Sequence, residues 1–318
     1  MTEWNQTDIH TMKFILFNFS GFQDQPSCIT LTTILCVGYA VILLENFSFI
    51  LVLLSDRRLH SPMYMLICNL AILDILIPTV NIPKMMHGLT SHDNMVTFGF
   101  CIVQLWFYTL FGTTEMYLLA LMAYDRYQAI CKPLHYPSVM TNKFVLKLCL
   151  LCWMPGICIN GIHVYFILNT KYCEKNKVQS YYCNYSAIMS LSCSAVLADM
   201  ISSVVIIIIL STTLTCIFSS YVKIIMIINT VSFESRQKAL STCASHLSVF
   251  SFSLLVSLFV AMSYRLPGFS DDARMISAVA ESISVPIANP IIYCIRTKEI
   301  REGLLKFLKK YKIIAAEF

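Results

Sequence analysis

Charge is what this chain has least of. Only 13% of its 318 residues are Asp, Glu, Lys or Arg, against 57% hydrophobic. A water-soluble globular chain carries roughly 25% charged residues. Mean hydropathy is +0.68, and a soluble protein of this composition would expose far too much apolar surface. Catalytic signatures are missing as well. No HExxH, GxSxG or P-loop pattern occurs, and the seven histidines are scattered at 10, 60, 87, 92, 135, 163 and 246. That argues against a membrane hydrolase. The net charge of +5 lies in loops and tail and does not point to nucleic acid. No apolar core of a cleavable signal peptide is visible in residues 1–21.

What is present is a set of apolar runs near the ~20 residues that cross a bilayer. They fall at about 29–54, 62–82, 97–124, 143–167, 197–228, 239–262 and 273–295. Seven spans predict an all-α membrane bundle over 29–295, an outside N-terminus over 1–28 and an inside tail over 296–318. Asp74, Pro78, Asn81 and Pro83 interrupt the second run, as spans tolerate when neighbours satisfy the backbone. Residues 297–311 place Ile300, Leu304, Leu305 and Leu308 among lysines and arginines. That spacing predicts an amphipathic helix on the membrane surface. Of the 23 Lys and Arg, 16 fall on the side of the 55–61 loop and the tail, which is therefore cytoplasmic. The sequons at Asn5, Asn18 and Asn184 then lie outside, as glycosylation requires, whereas that at Asn46 lies within the first span.

Of 14 cysteines, Cys101, Cys173, Cys183 and Cys193 stand on the outside, where disulfides form. Four cysteines allow three pairings, and two bridges would pin the 168–196 loop over the bundle as a lid. An internal repeat of the transporter kind is absent, and seven spans do not divide evenly. Two further absences bear on ligands. Residues 98–114 of the third span hold no Asp or Glu, which argues against an amine held by a counter-ion there. The seventh span holds no Lys, which argues against retinal bound as a Schiff base.

Five motifs carry a resemblance. LHSPMYMLICNLAILDI (59–75), MAYDRYQAIC with KPLHY (122–136), Ser220-Tyr221, KALSTCASHLSVF (238–250) and PIANPIIYCIRTKEIR (286–301) together resemble the olfactory receptor branch of the rhodopsin-like G protein-coupled receptors, over nearly the whole chain. Departures occur: Ser253, Leu254 and Leu255 stand where Phe-Tyr-Gly is common, Glu45 stands for the Gly before the first-span Asn, and Gln128 stands for Val. They fit a non-mammalian, fish-like member. The runner-up readings are a class A receptor for another small non-amine ligand and a membrane transporter.

The resemblance implies a receptor that couples a small odorant to the stimulatory olfactory G protein and raises cAMP, in ciliary plasma membrane, with an accessory trafficking chaperone and membrane lipid as further partners. It implies a switch made of Asp125, Arg126, Tyr127, Tyr221, Asn289, Pro290 and Tyr293. Arg126 pairs with Asp125 at rest, and the proline kink beside Asn289 lets Tyr221 and Tyr293 meet near Arg126. It implies a bound Na⁺ on Asp74, Glu115 and Asn289, since two nearby carboxylates cannot both stay ionised cheaply; no other cofactor is expected. The pairing carried forward is Cys101 with Cys183 and Cys173 with Cys193. The ligand pocket is expected in the outer half, between spans three, five, six and seven. Its lining is expected from Tyr108, Thr109, Gly112 and Thr113, from Ser202, Val205, Ile206 and Ile209, from Leu254, Ser257, Leu258 and Ala261, and from Val279, Ser282 and Ile283. His163, Arg265 and Arg274 sit near the outer mouth and are expected as solvated rim residues rather than as partners of an anionic ligand.

Overall fold

The structure is a computed structural model, and it describes residues 13–16, 24–91, 93–173, 176–193, 196–229, 233–265 and 268–310. Long helices make up nearly all of it. In chain order they are α1 (Gln25–Ser55), α2 (Pro62–Ser91), α3 (Phe98–Cys131), α4 (Tyr136–Val139), α5 (Asn142–Leu151), α6 (Met154–Asn169), α7 (Tyr185–Met189), α8 (Val196–Ile228), α9 (Phe233–Arg265), α10 (Asp271–Arg296) and α11 (Lys298–Lys310). Seven spans result from α1, α2, α3, the α5–α6 pair, α8, α9 and α10. Five of these are long and apolar enough to cross a membrane by composition alone. The other two are α3, which carries Gln104, Glu115, Asp125, Arg126 and Gln128, and α9, whose described side chains include the apolar stretch His246–Val260.

Local chemistry sets the breaks. Asp24 caps α1 by accepting from Ser27 N at 3.0 Å, and that hydrogen bond holds its carboxyl below the ordinary range. Thr97 caps α3 and Thr141 caps α5 in the same way. The fourth span, expected as one run, is two helices. Pro155 in the first turn of α6 has no N–H to continue the ladder from α5. The second span runs to Ser91, beyond the expected 82, with Pro78 and Pro83 inside it. Gly268 makes the α9–α10 turn at φ 105°, a left-handed backbone that favours glycine.

Outside the bundle, a three-stranded sheet has the order β2-β1-β3, with β1 at Lys13–Leu16, β2 at Met95–Thr97 and β3 at Lys177–Val178. β1 pairs antiparallel with β2, Phe14 opposite Val96, and parallel with β3, Ile15 opposite Lys177. Phe14 is fully buried, against Phe98 and Tyr172.

On the inner side α11 packs back on the bundle, and the apolar residues of the expected amphipathic helix divide. Ile300 is fully buried, with Leu304 and Phe307 beside it, while Leu305 points outward at 46% exposure. The inward face is therefore 300, 303, 304 and 307, a helical stripe that includes a glycine. A Cβ on Gly303 would meet Leu59 and Val52 side chains at 3.2 Å, so the absence of a side chain brings α11 onto α1. The Leu308 side chain lies outside the described residues.

Candidate functional site

Three polar centres are strung along the bundle axis. The innermost is at the foot of α3. Asp125 and Arg126 are both buried and ion-paired, with Arg126 Nε donating to Asp125 Oδ2 at 3.0 Å. The other carboxylate oxygen, Oδ1, accepts from the Tyr136 hydroxyl of α4 at 2.9 Å. Burial and the Asp125 charge beside it push the Tyr136 phenol well above its ordinary range. Nothing in KPLHY points to this role for Tyr136, because it lies on a different element from Asp125, where helical spacing says nothing.

Around this pair, Arg126 lies within electrostatic reach of Tyr221, His246 and Tyr293. Tyr293 is buried and its hydroxyl meets His246 Nδ1 of α9 at 3.4 Å, with the rings edge-on at 5.6 Å. Tyr221 packs with Ile224, Ile228 and Cys243, and Tyr127 lies under Lys132 and Lys223, whose ammonium groups are 5.8 and 5.3 Å from its ring. His246 is a further residue that the sequence reading did not single out.

The middle centre joins α2, α3 and α10. Asn289 Nδ2 donates to both oxygens of Asp74, at 2.9 and 3.1 Å, and its own Oδ1 has no hydrogen-bond partner among the described residues. Glu115 lies within electrostatic reach of Asp74. Beside it, Pro290 lacks an N–H and so frees the carbonyl of Pro286; Asn46 of α1 donates to that carbonyl at 3.2 Å. The kink is thus held by a side chain from another helix.

The outer centre is the lid and what lies beneath it. Cys101 at the head of α3 is bonded to Cys183, and Cys173 to Cys193. Gln104, buried on α3, ties the lid to the bundle: its Oε1 accepts from Cys183 N at 3.0 Å while its Nε2 donates to Val80 O of α2 at 3.0 Å. Asn184 caps α7, its Oδ1 accepting from Ala187 N at 2.8 Å and its Nδ2 donating to Ser180 at 3.0 Å. His163 is not a rim residue. It is 3% exposed, stacks on Tyr185 at 4.0 Å and meets Ser202 Oγ at 2.8 Å. Arg274 donates to Ser263 O and pairs with Asp271; the side chain of Arg265 lies outside the described residues.

The expected lining residues divide. Tyr108, Thr109, Gly112 and Thr113 are half-buried on α3, and a Cβ at Gly112 would meet nothing within 4 Å. Val205 and Ile209 are half-buried, and Ile206 is exposed. Leu254 is half-buried, and Ser257 and Leu258 are exposed; the Ala261 side chain lies outside the described residues. Ser202 is buried against His163. Val279 and Ile283 pack toward Leu35 and Ile82 of α1 and α2, and Ser282 bonds to the Tyr181 hydroxyl at 3.1 Å. Asn5 and Asn18 lie outside the described residues.

An arginine locked to its neighbour at the inner end, a polar kink in the middle and a bridged lid outside form the plan of a seven-helix signalling receptor. The family model described as Olfactory receptor matches residues 35–311. The chain belongs to the olfactory receptor family. Olfactory receptor 6Y1 of Homo sapiens is 36% identical over 306 residues, 95% of this chain and 93% of that protein. Olfactory receptor 6A2 of Homo sapiens is 34% identical over 98% of this chain and 96% of its own length. Olfactory receptor 226 of Rattus norvegicus is 33% identical over 93% and 91%. These relatives are mammalian, and a fish-like origin is not borne out. This olfactory receptor is a multi-pass membrane protein of the odorant-receptor, G protein-coupled kind, and not an enzyme.

Proposed function

We propose that the receptor binds a small odorant in the outer half of the bundle, between α3, α8, α9 and α10, and through Arg126 activates the stimulatory olfactory G protein, raising cAMP. The observation that carries this is the buried Asp125–Arg126 pair closed by Tyr136. A buried charge pair at the end of a span is costly unless it serves a function, and here it sits within reach of tyrosines from α8 and α10 and a histidine from α9. Ligand shifts the resting equilibrium by binding the active state better. The work is done in the plasma membrane of sensory cilia, with α11 against lipid headgroups and an accessory chaperone for delivery. Asn5, Asn18 and Asn184 are the glycosylation sites.

The middle centre holds Na⁺ at rest. Its donors are the Asp74 and Glu115 carboxylates and the Asn289 Oδ1 left without a hydrogen-bond partner among the described residues, an all-oxygen set suited to a hard cation. If Glu115→Gln leaves the sodium dependence of signalling unchanged, the ion has no part in it.

The deciding experiment is a cAMP assay in cells co-expressing the olfactory-type G protein, with a broad odorant panel against wild type and Arg126→Ala, surface display being measured for both. Odorant-dependent cAMP lost in the variant at preserved display is the expected result. An equal response in Arg126→Ala would remove the switch from the proposal.

A further inference from the structure

The outer half of α3 has no carboxylate, but α10 supplies one that sequence reading passed over. Glu281 accepts a hydrogen bond from Ser257 Oγ of α9 at its Oε1. It lies within electrostatic reach of both Tyr108 and Glu115 of α3. Reach to two residues of α3 and a bond to α9 place this carboxylate on the side of α10 that faces those two helices. None of the ion pairs among the described residues involves it.

A second feature of independent origin closes on the same place. Tyr108 of α3 packs on Tyr182 of the lid with ring centroids 4.6 Å apart, and Tyr182 packs on Tyr181 at 4.8 Å. Tyr181 is buried, and its hydroxyl meets Ser282, the residue next to Glu281, at 3.1 Å. The Cys101–Cys183 bridge follows Tyr182 directly and fixes this part of the lid to α3. Three aromatic rings are thus gathered beside one carboxylate, with Leu254 and Leu258 on the same helix as Ser257.

Each half of this arrangement selects the same chemistry. A carboxylate inside a membrane bundle is costly without a cation to face. The faces of tyrosine rings attract ammonium groups. A neutral odorant leaves the carboxylate's charge unmatched, and an anionic one is repelled.

We propose that this receptor takes amine odorants: the ammonium N–H donates to the Glu281 carboxylate, the cation packs on the faces of Tyr108 and Tyr182, and the hydrocarbon part lies along Leu254 and Leu258. The assignment rests on the odorant-receptor reading and narrows it to a ligand class.

The test uses the full-length receptor at the cell surface, with primary, secondary and tertiary alkyl and arylalkyl amines, each paired with the alcohol of the same carbon skeleton. Wild type responds to amines and not to their paired alcohols. Glu281→Gln keeps the shape and removes the charge, and raises the half-maximal amine concentration on the order of 100-fold; Glu281→Asp recovers part of the loss. Tyr108→Leu raises it about fivefold and Tyr108→Phe leaves it close to wild type, because the ring face is kept. If Glu281→Gln fails to reach the surface, the two Tyr108 variants carry the test. A displayed wild type that answers alcohols and no amine overturns this assignment and leaves the odorant-receptor reading standing. So does an amine response unchanged in Glu281→Gln. Silence to amines and neutral compounds alike from a displayed receptor counts against both.

Discussion

Tyr136 contributes a single hydroxyl to the resting state, and the hydroxyl lands on the carboxylate that holds Arg126. Removing it weakens the lock without touching the ion pair. Tyr136→Phe is expected to shift the resting equilibrium by about 1 kcal/mol, which appears as roughly fivefold higher basal cAMP at equal surface display. Asp56, in the turn after α1, gives a second residue-scale outcome. Hydrogen bonds from Arg58 lower its carboxyl from the ordinary 3.8 to about 2. A lowered carboxylate stabilises the fold above the unfolded value and loses that contribution as pH falls through the folded one. Thermal unfolding of purified receptor in detergent is therefore expected to separate wild type from Asp56→Asn at neutral pH, with the difference vanishing between about pH 4 and pH 2. At this scale the sequence was legible where the partner is adjacent, as with Asp125 and Arg126. It was silent on Tyr136, Gln104 and Glu281, because their partners come from other elements and no spacing along the chain reveals them.

The helices themselves were legible, since runs of apolar residues without charge admit few alternatives. Their rotation was not. Periodicity says which residues share a face but not which neighbour that face meets. Val279 and Ile283 share a face of α10, yet that face meets α1 and α2; on α11 the apolar residues divide, Ile300 and Leu304 inward and Leu305 outward, with Gly303 bringing the helix close to α1. Close approach between spans by small residues is an ordinary device in membranes, and Gly156 provides another case. A Cβ there would meet Leu110 of α3 at 2.9 to 3.2 Å, backbone atoms included, and backbone cannot turn aside. Gly156→Val is expected to cost about 3 kcal/mol by overpacking, read as a lower melting temperature in detergent and reduced surface display, whereas Gly161→Ala, with nothing within 4 Å of its Cβ, is expected to leave both unchanged.

At the scale of the molecule, the lid is an assembly of separate parts of the chain: the strand 13–16, the turn before α3, and the loop before α8, joined by the sheet, two disulfides and Gln104. Phe14 is the apolar centre of that assembly. Phe14→Ala is expected to cost about 3 kcal/mol, enough to loosen the lid without dissolving the bundle. Limited proteolysis of intact cells should then cleave within the loop before α8 sooner than in wild type, while the spans remain protected.

The sheet also orders events during synthesis. β1 is made first, yet its parallel neighbour β3 is not made until four spans have been threaded through the membrane. Until then Phe14 has no complete shelter, and the strand waits with an open edge. The window is one in which a chaperone that binds extended apolar chain has its best grip, and it closes as soon as the loop before α8 arrives. A cargo fused ahead of β1 is carried through that interval too, so a tag that folds quickly and stays off the strand's edge should travel better than one that competes for it.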